Sequence, residues 1–217
     1  KSYAVSRFAQ TQAQARFEIT TKSGATRKIE LRTWTKLTPS GQNMRLARFT
    51  APADLVGTAT LTIERAGADD DIWVNLPALG KVRRMLANSK KDSYLGTDFT
   101  FGDIIGYRPD QWTHRLLGTE TIDGSPCYIL ESVASETAAK QSGFSRRINW
   151  IRQNNYVPTK GESYDLAGRL AKTYAAASLQ EPVSGSGQWQ PMRIEAKSVE
   201  SGRRTTLIVS DFRVNAG

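Results

Sequence analysis

Asp71-Ile72-Trp73-Val74-Asn75-Leu76-Pro77-Ala78-Leu79-Gly80-Lys81-Val82-Arg83-Arg84, followed by Ser93-Tyr94-Leu95-Gly96-Thr97-Asp98-Phe99-Thr100-Phe101-Gly102-Asp103-Ile104, decides how this chain is read. A short apolar strand runs into Leu-Pro, and a basic strand follows. Then comes a Gly-Thr-Asp sequence with a brief aromatic helix. The pattern is a strand pair that hands the chain to a small apolar lid. Asp98 is placed to cap a helix over 99–105, whose apolar positions are Phe99, Phe101, Ile104 and Ile105. Asp98 and Asp103 are expected to pair with Arg83 or Arg84.

Outward from this block the dominant period is two. Phe17 and Ile19 alternate with Glu18 and Thr20, and Ile29 and Leu31 with Lys28, Glu30 and Arg32. Met44 and Leu46 alternate with Arg45 and Ala47, and Leu61 and Ile63 with Thr60, Thr62 and Glu64. Such alternation describes a sheet with one buried face. Asp123-Gly124 fits a tight hairpin joining 113–122 to 126–134, and Ser201-Gly202 one joining 192–200 to 203–214. The final third continues with strands at 145–152, 156–165, 169–179 and 188–199. Residues 3–15 read as the end of an N-terminal helix, and 134–144 as a loop.

The expected fold is mainly β: one domain over 1–217, a single antiparallel sheet of about eleven strands joined as a meander. The helix candidates are too short to cover such a sheet. Curling into a half-open barrel, with short helices across the mouth, buries the apolar face and leaves a cavity.

Composition narrows the function classes. No apolar run approaches the ~20 residues that cross a bilayer as a helix. Lys and Arg total 30 against 21 Asp and Glu, a net charge of +9. The basic residues are scattered as pairs, Arg83-Arg84, Lys90-Lys91, Arg146-Arg147 and Arg203-Arg204, and read as solvated strand faces. The five tryptophans lie on different segments and no RNA-binding run is present, which argues against nucleic acid.

Catalytic and metal signals are poor. Cys127 is the single cysteine and reads as a buried strand thiol, and His114 is the single histidine and reads as a rim residue. One of each does not build a zinc site or a thiol–imidazole pair, and no Gly-x-Ser-x-Gly elbow or phosphate loop occurs. Asp69-Asp70-Asp71 lacks the spacing of a calcium loop and reads as a solvated turn. No catalytic residue, metal or cofactor is expected.

The block 71–104 resembles the outer-membrane lipoprotein-sorting protein family, whose members are similar to the periplasmic carrier LolA. The likeness continues through 49–64, through Leu116-Leu117-Gly118 to Tyr128, and through Arg203-Arg204-Thr205-Thr206-Leu207. The resemblance implies a LolA-like half-barrel and a periplasmic location, with the leader already removed. It implies lipoprotein acyl chains or another lipid as cargo and an inner-membrane exporter of the resistance-nodulation-division type as partner. The chain is expected to act as a monomer. The alternative is an envelope adaptor or lipoprotein sensor that docks on a transporter and carries nothing.

The residues expected to line the cavity are Leu31, Leu46, Leu61, Ile63, Val74, Leu76 and Leu79, with Phe99, Phe101 and Ile104 from the lid. Ile148 and Trp150, on one face of their strand, complete the set.

Overall fold

A computed structural model describes residues 1–77 and 80–215. The period-two segments become thirteen strands of one antiparallel sheet: β1 (Gln10–Thr20), β2 (Thr26–Leu37), β3 (Asn43–Ala51), β4 (Ala59–Ile63), β5 (Asp71–Leu76) and β6 (Lys81–Met85), then β7 (Trp112–Ile122), β8 (Ser125–Ala134), β9 (Phe144–Arg152), β10 (Pro158–Asp165), β11 (Leu170–Gln180), β12 (Gln190–Ser198) and β13 (Arg204–Val214). The count is two above expectation. The Asp123-Gly124 hairpin is as read: φ is 47° at Asp123 and 72° at Gly124, the two left-handed residues a tight turn of this type needs.

The strand order is β6-β5-β4-β3-β2-β1-β13-β12-β11-β10-β9-β8-β7. The chain's first and last strands therefore pair at the centre, with Phe17 opposite Leu207. The consecutive strands β6 and β7 stand at opposite edges and do not pair, so the sheet stays open. This order has a consequence for the connection between them: residues 86–111 must cross the whole width of the sheet. They do so over its concave face and form the lid. Register shifts at Gln12/Gln14, Glu30/Leu31 and Leu116/Gly118 add local bends to the strand twist.

The lid carries α1 (Phe101–Ile105). Its cap is Thr100 and not Asp98. The Thr100 hydroxyl accepts from the Asp103 backbone N–H at 3.1 Å, and the Asp103 carboxylate accepts from the Thr100 N–H at 2.9 Å. A second helix, α2 (Glu136–Ser142), occupies the segment read as a loop. Ser135 caps its start and Gly143, at φ 76°, ends it. The N-terminal residues form turns rather than a helix, and β1 begins at Gln10.

The core lies between the lid and the concave face. Phe17, Ile29, Phe49 and Ile72 from the sheet meet Tyr94, Phe99, Phe101 and Ile105 from the lid. Tyr94 and Phe101 pack edge to face with centroids 5.1 Å apart. No helix among the described residues is long and apolar enough to cross a membrane.

Candidate functional site

The inner faces of β1 to β3 and β11 to β13 do not close completely under the lid. A cavity of about 380 Å³ remains. Ala13, Ala15 and Phe17 of β1, Leu31 of β2 and Ala47 of β3 form one wall. Ile194 of β12 and Leu207 and Val209 of β13 form the other. Ile104 of α1 lies over it, and Phe8 and Phe212 pack against each other at 5.2 Å at its border. Small residues on the central strand make the room: alanine where a larger side chain would fill the space.

Beside its apolar packing, charge also restrains the lid. The Asp103 carboxylate of α1 accepts from Lys172 of β11 at 2.6 Å and from Arg147 of β9 at 3.0 Å. Burial works to raise its pKa, but Lys172 and Arg147 overcome that and hold it well below the usual carboxylate range. Arg147 also lies 3.6 Å from the centre of the Tyr107 ring. At the other end, Asp98 accepts from Arg203 at 2.9 Å and from the Thr205 hydroxyl at 2.7 Å, while its N–H donates back to that hydroxyl at 2.9 Å. The expected pairing of Asp98 and Asp103 with Arg83 or Arg84 does not occur. Those arginines sit on the edge strand β6, where Arg84 pairs with Asp71, while the two lid carboxylates reach Arg147, Lys172 and Arg203 on the other half of the sheet.

Tyr94 is fully enclosed, and its hydroxyl lies 2.8 Å from Thr60 Oγ1. Burial pushes its pKa up to about 12, so the phenol stays neutral. The N-terminal segment is pinned by Arg7, whose guanidinium donates to both Glu64 oxygens at 3.1 and 2.8 Å.

The expected lining residues divide into two groups. Leu31 and Ile104 border the cavity. Val74, Phe99 and Phe101 are buried in the adjoining core, and Leu76 packs against it. Leu79 lies outside the described residues. Leu46, Leu61 and Ile63 are on the convex face. Leu46 pairs with Trp34 and Leu61, and Leu61 with Trp73, in one row across four strands. The inward residues of β4 are Thr60 and Thr62, which together with Thr58 just before the strand are each no more than 5% exposed. Ile148 and Trp150 also point outward, because the neighbouring Arg147 points in toward Asp103. The Trp150 indole N–H donates to Glu120 at 2.5 Å, and Lys160 covers its ring at 3.9 Å.

Residues that the sequence reading left out do much of the positioning. Arg147, Arg203 and Lys90, each half of a basic pair read as a solvated face, are clamps. Lys90 meets the buried Asp70 at 2.6 Å. Asp70 and Asp71 are likewise ion-paired residues, at 5% and 7% exposure, and not a solvated turn. The signal available in the sequence was parity: Arg147 stands out of phase with Ile148 and Trp150. The remaining polar candidates make local contacts. His114 lies 2.9 Å from Ser132 Oγ and 3.0 Å from the Pro109 carbonyl. Cys127 is buried and its thiol donates to the Ser125 carbonyl at 3.4 Å. Among the described residues no group of three or more His, Cys, Asp or Glu is placed to hold a metal ion.

Three solved structures share this architecture. A protein described as an outer membrane lipoprotein-sorting domain, from Vibrio parahaemolyticus, superposes with a TM-score of 0.91 at 24% identity, covering 100% of this chain and 90% of that one. A DUF1329 family protein from Desulfovibrio piger gives 0.90 at 28% identity, with 100% and 90% coverage. A LolA superfamily protein from Nitrosomonas europaea gives 0.76 at 22% identity, with 100% and 91% coverage. No curated protein matches the sequence. A family model described as "Uncharacterized protein" matches residues 41–217. The chain therefore belongs to the family which that model describes, and it is built on the fold of the outer-membrane lipoprotein-sorting and LolA superfamily structures.

Proposed function

We propose that this protein is a periplasmic carrier that shields the acyl part of a lipoprotein or another lipid in the cavity beneath α1. The observation that supports this reading is the cavity itself, about 380 Å³ between apolar walls and a separate lid. An acyl chain in water costs ~0.8 kcal/mol per methylene, and an apolar wall offsets that cost without any catalytic group. A lid held by side-chain packing and a few ion pairs, rather than by strand pairing to the sheet, is the element that opens to admit and release such a chain. The fold shared with a lipoprotein-sorting domain supports the same class of cargo.

An inner-membrane exporter of the resistance-nodulation-division type enters this reading as the partner from the resemblance of residues 71–104 alone. An adaptor that docks on a transporter and carries nothing needs no room under its lid, so the cavity favours the carrier. The test is direct. Protein stripped of lipid with organic solvent is titrated with a fluorescent fatty acid, and saturable uptake is the expected result. Mass spectrometry of extracts from unstripped protein then identifies the cargo. Absence of saturable uptake overturns the carrier reading.

A further inference from the structure

We propose that the cavity takes a single-chain amphiphile with an anionic head, a carboxylate or a phosphate, anchored by the Arg45 guanidinium. This rests on the carrier reading and narrows it to a ligand class. Arg45 stands on the inner face of β3, opposite Thr35 on one side and Thr62 on the other, and it lines the cavity. Its guanidinium forms no ion pair or hydrogen bond with any described residue. The carboxylate that acts on it, Glu64, is committed to Arg7 and Asn43. The other charged group in the lining, Asp103, is matched by Arg147 and Lys172. The lining is thus left with an uncompensated positive charge.

A cation withdrawn from bulk water is costly without a counter-charge. Arginine in particular is built to grip carboxylate and phosphate oxygens through two parallel N–H donors. The wall around it is graded to suit an amphiphile. Along β2 the lining changes from Leu31 to Thr33 and Thr35, and along β3 from Ala47 to Arg45. On the far wall the Tyr174 hydroxyl also lines the cavity without a hydrogen-bond partner among the described residues. Burial raises its pKa well above the ordinary phenol value, which keeps it a donor. The volume, about 380 Å³, is at the low end of the about 300–1,000 Å³ usual for small-molecule pockets, a size for one chain rather than several.

The experiment is calorimetric titration of lipid-stripped protein with laurate, dodecyl phosphate and 1-dodecanol, three ligands of equal chain length. Laurate or dodecyl phosphate is expected to bind roughly 10-fold to 100-fold more tightly than the alcohol. The tighter of the two identifies the head group. Arg45→Gln is expected to erase that preference, so that the three ligands bind alike, and Arg45→Lys to keep part of it. Equal affinity for all three ligands in the unaltered protein, which needs no variant to fold, overturns the anion anchor and leaves the carrier reading standing. An anion preference that survives in a folded Arg45→Gln protein overturns the assignment to Arg45. Binding of none of the three overturns both readings together.

Discussion

Arg147 of β9 and Asp103 of α1 meet at 3.0 Å, joining a lid helix of five residues to the strand that lies third from the sheet's far edge. Lys172 of β11 reaches the same carboxylate at 2.6 Å. This short helix buries Phe101 and Ile105 in the core, and the ion-pair cluster adds a second restraint on its polar side. Lifting the lid separates these charges and exposes Phe101 and Ile105, but unzips no strand pair of the sheet.

Asp103→Asn removes the charge and leaves Lys172 and Arg147 without their partner. The expected loss is about 3 kcal/mol, since breaking a buried pair leaves uncompensated charge behind. In a chain of this size that lowers the melting temperature by about 10 °C. Hydrogen exchange at 98–107 is expected to quicken more than exchange in β1 and β13. Uniform quickening across the sheet would show that Asp103 is not a lid restraint.

The same carboxylate sets a pH dependence. Its folded-state pKa is depressed below the ordinary value of about 3.9, so its contribution is present above that value and is lost as pH falls through the folded one. Glu64 and Asp71 shift in the same direction. For Glu64, burial opposes the shift but hydrogen bonds from Arg7 and Asn43 prevail, and for Asp71 the chief cause is Arg65. Urea midpoints are expected to hold steady from about pH 8 to 5 and to fall below about pH 4. The fall should be shallower in Asp103→Asn. A midpoint that rises on acidification contradicts this assignment.

Face assignment is testable by pairing two variants. Val209→Trp puts a large side chain into the cavity and is expected to weaken fatty-acid uptake about tenfold or more. Leu61→Gln alters the convex face and is expected to leave uptake within about twofold, because Leu61 lies across from Leu46 and Trp73, away from the lid. The opposite ranking would place the ligand on the outside of the sheet.

Arg7→Ala frees the N-terminal segment. Arg7 is its link to Glu64, and Phe8 and Ser6 border the cavity. Thermolysin is expected to cut near Val5 or Phe8 faster in the variant than in the unaltered protein, with the rest of the chain still protected. Equal cleavage rates would show that Arg7 does not hold the segment.

Periodicity and turn chemistry by themselves determined the strands, the hairpin at Asp123-Gly124 and the presence of a short aromatic lid after β6. These are local matters: alternation needs only neighbouring residues, and a tight turn needs only its own backbone torsions. Alternation also separates β4 into a Leu61–Ile63 face and a Thr60–Thr62 face, but it carries no label for inside. The tertiary structure decided that, and it chose the threonines, because Tyr94 from the lid brings a hydroxyl that Thr60 meets at 2.8 Å. It likewise turned Ile148 and Trp150 outward so that Arg147 faces Asp103, and it brought Phe17 beside Leu207 across nearly the whole chain. Contacts between residues so far apart depend on the strand order of the entire sheet, and no window of sequence contains them.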